Sequence, residues 1–256
     1  MHVWPGSAGD RTRIYLQILE RETTLIPLVE GIDANSIARI AGDAVIIATN
    51  WNAPNYRVMR VELSSPSRDS WREIIPEGSA CIQGIAAIGG KLAVSYLVKA
   101  VSRVYIFAPD GNQLSQLELP APGTVMGEHS TELHGRWDSD ESFFIFQSFD
   151  RSPAVNRYNL KTRESRVWPR QMTRMDPERF EIHQVWYSSR DGTRVPMFLF
   201  HRRGLKLDSA RPTMLNGYGG LNASATPFFL APAIIWAVGY SLLIGGRSAS
   251  RGHESE

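Results

Sequence analysis

A repeat constrains this chain more than any other feature. Apolar, strand-like runs begin at Ala44 (Ala-Val-Ile-Ile-Ala-Thr), Leu92 (Leu-Ala-Val-Ser-Tyr-Leu) and Phe143 (Phe-Phe-Ile-Phe-Gln), a period of roughly 50 residues. A Gly or Asp turn precedes each run: Ala41-Gly-Asp43, Ile88-Gly-Gly-Lys91 and Trp137-Asp-Ser-Asp-Glu141. A second strand follows each, at 56–63, 102–107 and 154–160, and a third closes each unit, at 71–75, 114–119 and 165–168. Apolar and polar residues alternate from Tyr56 to Leu63, the period of a half-buried strand rather than a helix. Asp110-Gly111 is a strong hairpin dipeptide between the last two strands of its unit.

Four short strands per unit at this period predict β-propeller blades. Full units cover about 32–75, 80–120 and 124–170. A half unit precedes them, with strands at 13–18 and 24–28. The fold class expected is therefore mostly β, a partial propeller of about three and a half blades. An ordinary antiparallel sandwich also shows evenly spaced short strands and stays open as the alternative. Propellers close with roughly four to eight blades, so this array predicts a partner polypeptide or a longer protein.

The pattern changes near Arg179-Phe180. Ile182 to Tyr187 reads as a strand, Ser189-Arg-Asp-Gly-Thr193 as a hairpin turn, and Val195 to Phe200 as the returning strand. Pro212 to Asn216 is a short apolar strand that runs into Gly217-Tyr-Gly-Gly220. A helix is expected over about Phe228 to Ala237, then a buried strand at Tyr240 to Ile244. Hairpin, strand, loop, helix and strand in this order is how α/β sheets open.

The residues 189–208, Ser-Arg-Asp-Gly-Thr-Arg-Val-Pro-Met-Phe onward, and then Arg211-Pro-Thr-Met-Leu-Asn-Gly-Tyr-Gly-Gly220 closely resemble the start of the peptidase domain in prolyl oligopeptidases. Trp51-Asn-Ala-Pro-Asn-Tyr-Arg-Val58 resembles a propeller segment of the same family, and the similarity runs from about residue 11 to residue 244. The resemblance implies a serine peptidase that hydrolyses short peptides after proline, with an α/β-hydrolase domain capped by a seven-bladed propeller. It divides the chain into 1–180, the C-terminal propeller blades, and 181–256, the N-terminal part of the hydrolase domain, with a divergent polar tail at 245–256.

In that family the catalytic Ser, Asp and His follow the Gly-Tyr-Gly-Gly loop, in the chain order of α/β-hydrolases. None is expected in this chain. Gly246-Arg-Ser-Ala-Ser250 imitates the nucleophile elbow but has Ser in place of its last Gly, so Ser248 is not read as a nucleophile, nor His253 as a base. The tail keeps the Gly and Arg of the family's next segment but not their order, as a frameshift, gene breakage or premature stop would leave it. What the resemblance does carry over is an oxyanion-hole donor, Tyr218, in a loop made permissive by Gly217, Gly219 and Gly220. It also places Leu221 where the family has an aromatic residue lining the proline pocket; Leu packs on a pyrrolidine ring but cannot stack on it. The chain alone is expected to be inactive. Its partners are proline-containing short peptides once the missing peptidase part is supplied, and a complementary downstream chain. A propeller-type binding module is the competing reading.

Composition sets the remaining bounds. A net charge of +2 offers no basic stripe for nucleic acid. The cluster Arg166, Arg170 and Arg174 reads as a solvated strand end and loop. The single cysteine, Cys81, precludes an internal disulfide, fits a reducing, cytoplasmic setting, and reads as a small buried apolar residue opening a blade. No two of the six histidines sit at helical ligand spacing, so neither a metal site nor another cofactor is expected. The N-terminus carries no signal-peptide pattern. The uncharged run from Phe228 to Ile244 contains Pro232 and falls short of the about 20 residues a membrane helix needs, so no membrane association is expected.

Overall fold

The computed structural model describes residues 2–3, 11–17, 25–126, 132–168, 176–208, 210–217, 224–239 and 241–245. Its first sheet has three antiparallel strands, β1 (His2–Val3), β2 (Arg13–Leu16) and β3 (Ile26–Val29). Next come β4 (Ser36–Ala41), β5 (Ala44–Thr49), β6 (Arg57–Glu62) and β7 (Arg72–Ile75), in the order β4-β5-β6-β7. The following blade is β8 (Cys81–Ile88), β9 (Lys91–Val98), β10 (Val101–Phe107) and β11 (Gln113–Leu117). The last contains β12 (Thr124–Met126), β13 (His134–Gly135), β14 (Glu141–Ser148), β15 (Arg151–Asn159) and β16 (Ser165–Val167). Its β12 and β13 both pair with β14. These sheets fall on the three expected units and the partial one before them.

The reason the blades stack is visible in β5, every residue of which is buried. Strand side chains alternate between faces. Val45 and Ile47 pack on Ile14, Leu16, Leu28 and Val29 of the first sheet. Ile46 and Ala48 pack the other way, on Ile82, Ile85, Leu92 and Val94 of the next blade. The alternation continues one blade on: Val104 and Ile106 of β10 meet Phe144, Phe146 and Tyr158. A strand apolar on both faces is what a stacked blade demands, and a sheet half-exposed to water does not.

The last blade breaks this rule on its far side. Its β14 reads half-buried, buried, half-buried, buried from Phe143 to Phe146, and Val155, paired with Ile145, is exposed. No further sheet covers that face among the described residues.

Close approach between blades explains two turns. At Gly111, φ is +95°, and an added Cβ would lie 1.8 Å from the Ile74 carbonyl oxygen of the neighbouring blade. The Trp51–Val58 motif is a second such device. Asn52 and Tyr56 adopt left-handed φ. Asn55 accepts a bond from Ile82 N–H and donates to Gly78 O at 3.0 Å. The Trp51 ring lies edge-on to Trp71 and under the guanidinium groups of Arg57 and Arg68. The motif thus knots β6 to the start of the next blade.

After a short 3-10 turn at Pro177–Arg179, the architecture changes. A four-stranded sheet is built from β17 (Phe180–Ser188), β18 (Arg194–Arg202), β19 (Thr213–Gly217) and β20 (Ser241–Gly245), with helix α1 (Ala231–Gly239) between the last two. Its strand order is β17-β18-β20-β19, with β19 and β20 parallel and the other pairs antiparallel. The helix starts at Ala231 rather than near Phe228. That start leaves Pro232 in the first turn, where its absent N–H costs nothing; a start at Phe228 would bury it mid-helix against a carbonyl. The helix is also one-sided rather than buried: Ala233 and Ala237 face the core, whereas Ile235 is 77% exposed. On β19 every residue is exposed, so the apolar sequence of that strand has no cover among the described residues. No helix among the described residues is long and apolar enough to cross a membrane.

Candidate functional site

The sheet and the blades meet through aromatic packing. Phe149 sits in the turn between β14 and β15, with ring centroids 5.4 Å from Phe198 and 6.0 Å from Phe200. Phe200 stacks on Phe180 at 5.1 Å, and Ala233 and Ala237 of α1 close the cluster. From the preceding blade come Ala100 and Val101. Lys99 and Ala100, the two central residues of the β9–β10 hairpin, both hold left-handed φ (50° and 62°) without being glycine. Such backbone persists only where surroundings over-determine it. Here Ala100 is locked under the aromatic cluster, and the Lys99 carbonyl accepts a 2.5 Å bond from the Gln184 side chain of β17.

This junction positions the parallel pair β19 and β20. In open α/β sheets, ligands bind beyond the carboxyl ends of such strands. The candidate site is therefore the end of β19, where Gly217 is the last strand residue and is exposed. Tyr218, Gly219, Gly220 and Leu221 lie outside the described residues, as do Ser248 and His253. The chain beyond that loop is anchored to the last blade at two points. Thr124 donates its hydroxyl to Pro227 O at 2.6 Å, and the Phe229 N–H donates to Gln147 Oε1 at 3.1 Å. Thr124 and Gln147 are direct partners across β12 and β14, so one rung of the blade holds both ends of the segment. The loop's two flanks are thus fixed by different parts of the fold, one by the sheet and one by the blade.

Asp150 is the perturbed acid at this junction. It follows Phe149, is buried, and its Oδ1 has no hydrogen-bond partner among the described residues, with Arg151 Nε 3.8 Å away. Burial raises its pKa, opposed by the charge of Arg151. Nothing in the sequence pattern singles it out.

A second grouping was hidden from spacing along single elements. Antiparallel pairing sets Glu181 directly opposite His201, with His183 two residues along β17 on the same face. One ligand atom from each lies within 4.8 Å of the others. Cys81, expected to be buried, is half-buried and in no disulfide; its Sγ lies 3.3 Å from Gln83 Nε2.

Comparison with known proteins bears on these parts. Residues 3–171 match the prolyl oligopeptidase N-terminal β-propeller domain. A prolyl endopeptidase of Elizabethkingia meningoseptica is 29% identical over 232 residues, 90% of this chain and 32% of that protein. Prolyl oligopeptidase A of Galerina marginata is 31% identical over 208 residues, 79% of this chain and 27% of that protein. A solved structure from work on inter-domain dynamics in two prolyl endopeptidases superposes with a TM-score of 0.80 at 32% identity. It covers 92% of this chain and 34% of its own. The chain spans 27% to 34% of the length of these relatives.

Proposed function

The chain belongs to the prolyl oligopeptidase family, through that family's propeller domain, and from that membership we propose that it is the propeller-to-hydrolase segment of a serine peptidase acting on proline-containing short peptides. Residues 1–180 are its C-terminal blades and 181–256 the opening of its α/β-hydrolase domain, with a divergent tail at 245–256. The observation that carries this reading is the order β17-β18-β20-β19 with its parallel pair, followed by a segment that Thr124 of the last blade holds at Pro227. In that frame Gly217, Gly219 and Gly220 shape the loop after β19. Tyr218 gives its hydroxyl to the developing oxyanion, and Leu221 packs on the substrate's proline ring. A single such donor contributes roughly 3 kcal/mol to the transition state, and only where a nucleophile has attacked.

The 256 residues hold no Gly-x-Ser-x-Gly elbow, so hydrolysis depends on Ser, Asp and His supplied by a partner segment of polypeptide outside them, on the same chain or another. The exposed faces of the last blade and of β19 support such a partner over a self-sufficient binding disc. The setting proposed is cytoplasmic, where the Cys81 thiol, in no disulfide, stays reduced. The test is co-expression with a segment that supplies the remaining blades and the triad. The reconstituted pair is expected to cleave a proline-ended chromogenic peptide, and Tyr218→Phe to lower kcat by about 100-fold or more. A Tyr218→Phe pair as fast as the parent pair overturns the role given to Tyr218.

A further inference from the structure

We propose that Glu181, His183 and His201 form a binding site for a divalent transition cation, zinc being the representative ion, which clasps β17 to β18. The site lies on the face of the sheet opposite the aromatic cluster, because Phe180 and Ile182 alternate with Glu181 and His183 along β17.

His201 carries the inference. Its side chain is 2% exposed, and its Nε2 meets no hydrogen-bond partner among the described residues. Its other nitrogen, Nδ1, lies 2.8 Å from the Arg202 carbonyl. A carbonyl can only accept, so Nδ1 carries the proton and Nε2 presents a bare lone pair. A backbone bond of this kind fixes the tautomer and ring orientation that a metal-ligating histidine needs. A buried lone pair facing nothing is costly in an ordinary core, and a cation satisfies it.

The other two groups converge on the same point. Glu181 Oε2 is 4.0 Å from His201 Nε2 and 3.5 Å from His183 Nε2. Zinc bonds of 2.0–2.1 Å at tetrahedral angles set ligand atoms about 3.3 Å apart. The two carboxylate–imidazole pairs therefore contract by less than an ångström, and the imidazole pair, within 4.8 Å, by at most about 1.5 Å, on the order of a side-chain rotation. His183 is exposed and stacked on His201 at 5.3 Å between ring centres, free on its outer side to turn its Nε2 inward. The second carboxylate oxygen, Oε1, is 3.4 Å from Arg203 Nη1, and Arg203 Nε donates to the Glu178 carbonyl at 2.7 Å. Arg203 thereby orients the carboxylate so that Oε2 points at the imidazoles. Two nitrogens and one oxygen leave a fourth position for water, a donor set zinc accepts readily.

The test uses the untagged 256-residue chain, stripped with a chelator and titrated with zinc chloride by calorimetry. One zinc per chain is expected. His183→Ala and Glu181→Gln each weaken binding at least about tenfold. His183→Asp, which keeps a ligand, restores most of the affinity. Cobalt(II) gives tetrahedral visible bands with the parent and none with His183→Ala. His183 is on the surface, so an unchanged circular dichroism spectrum separates lost ligation from lost folding. No zinc uptake by the parent overturns the site. So does uptake that survives both His183→Ala and Glu181→Gln, because the ion is then held elsewhere.

Discussion

Replacing Phe149 with alanine should uncouple the mixed sheet from the blades while leaving the blades standing. Phe149 is 2% exposed and contacts two rings of the sheet, Phe198 and Phe200. Truncating a buried Phe costs about 3–5 kcal/mol, the sum of lost transfer energy and the cavity left behind. Each aromatic pair accounts for about 0.5–1.5 kcal/mol of that. The clusters between blades contain no atom of Phe149. The loss therefore falls on the sheet side, which has α1 and this cluster as its described apolar support. Hydrogen exchange reads it locally. At about 1.4 kcal/mol per tenfold, amides of β17, β18 and β20 should exchange at least 100-fold faster. Amides of β5, β6 and β9 should change by less than about threefold, on the rule that distant sites are independent. Equal acceleration in blades and sheet, or none in the sheet, would refute the idea that this ring is the coupling element.

Three further outcomes follow from the structure. Gly111→Ala should destabilise the chain by about 2–4 kcal/mol in urea unfolding, because it adds a left-handed φ penalty to a clash with the Ile74 backbone. Asp150 has its folded pKa raised by burial, so its neutral form favours the fold and that contribution is lost as pH rises through the raised value. Asp150→Asn should accordingly raise the urea midpoint at pH 7, and the gain should vanish below the ordinary carboxylate range; a gain that persists in acid would contradict this. The Tyr96 phenol, half-buried beside Tyr105 and pushed up to about 12 by that burial, should ionise last among the described tyrosines in an ultraviolet pH titration. Its effect on stability has the same sign: the support it gives is whole below pH about 10 and is lost as pH climbs toward 12. Tyr96→Phe should remove that last step.

Much of the fold was legible because blades write a strong pattern. The uninterrupted apolar run of β5 and the alternation in β6 each follow from which faces are buried. The hairpin at Asp191-Gly192 was equally plain, and it fixed the pairing of β17 with β18. Short pieces were not legible: His2–Val3 of β1 carries no period at all. The start of α1 was misplaced because an apolar run shows where a helix can exist, whereas Pro232 decides where it begins. The site was legible only through the Gly-Tyr-Gly-Gly resemblance. The Glu181, His183 and His201 cluster left one usable signal. Counting outward from Asp191, the turn sets Glu181 opposite His201, and a Glu-x-His on a strand shares one face. Asp150 left none, because its burial is made by residues remote in sequence.

The most direct measurement is mass spectrometry of the purified chain, free of any other polypeptide, after exposure to a fluorophosphonate that phosphonylates activated serines. A propeller-to-hydrolase segment without a serine elbow should gain no mass and release no chromophore from a proline-ended peptide. A phosphonylated serine anywhere in the 256 residues, with peptide cleavage to match, would contradict it.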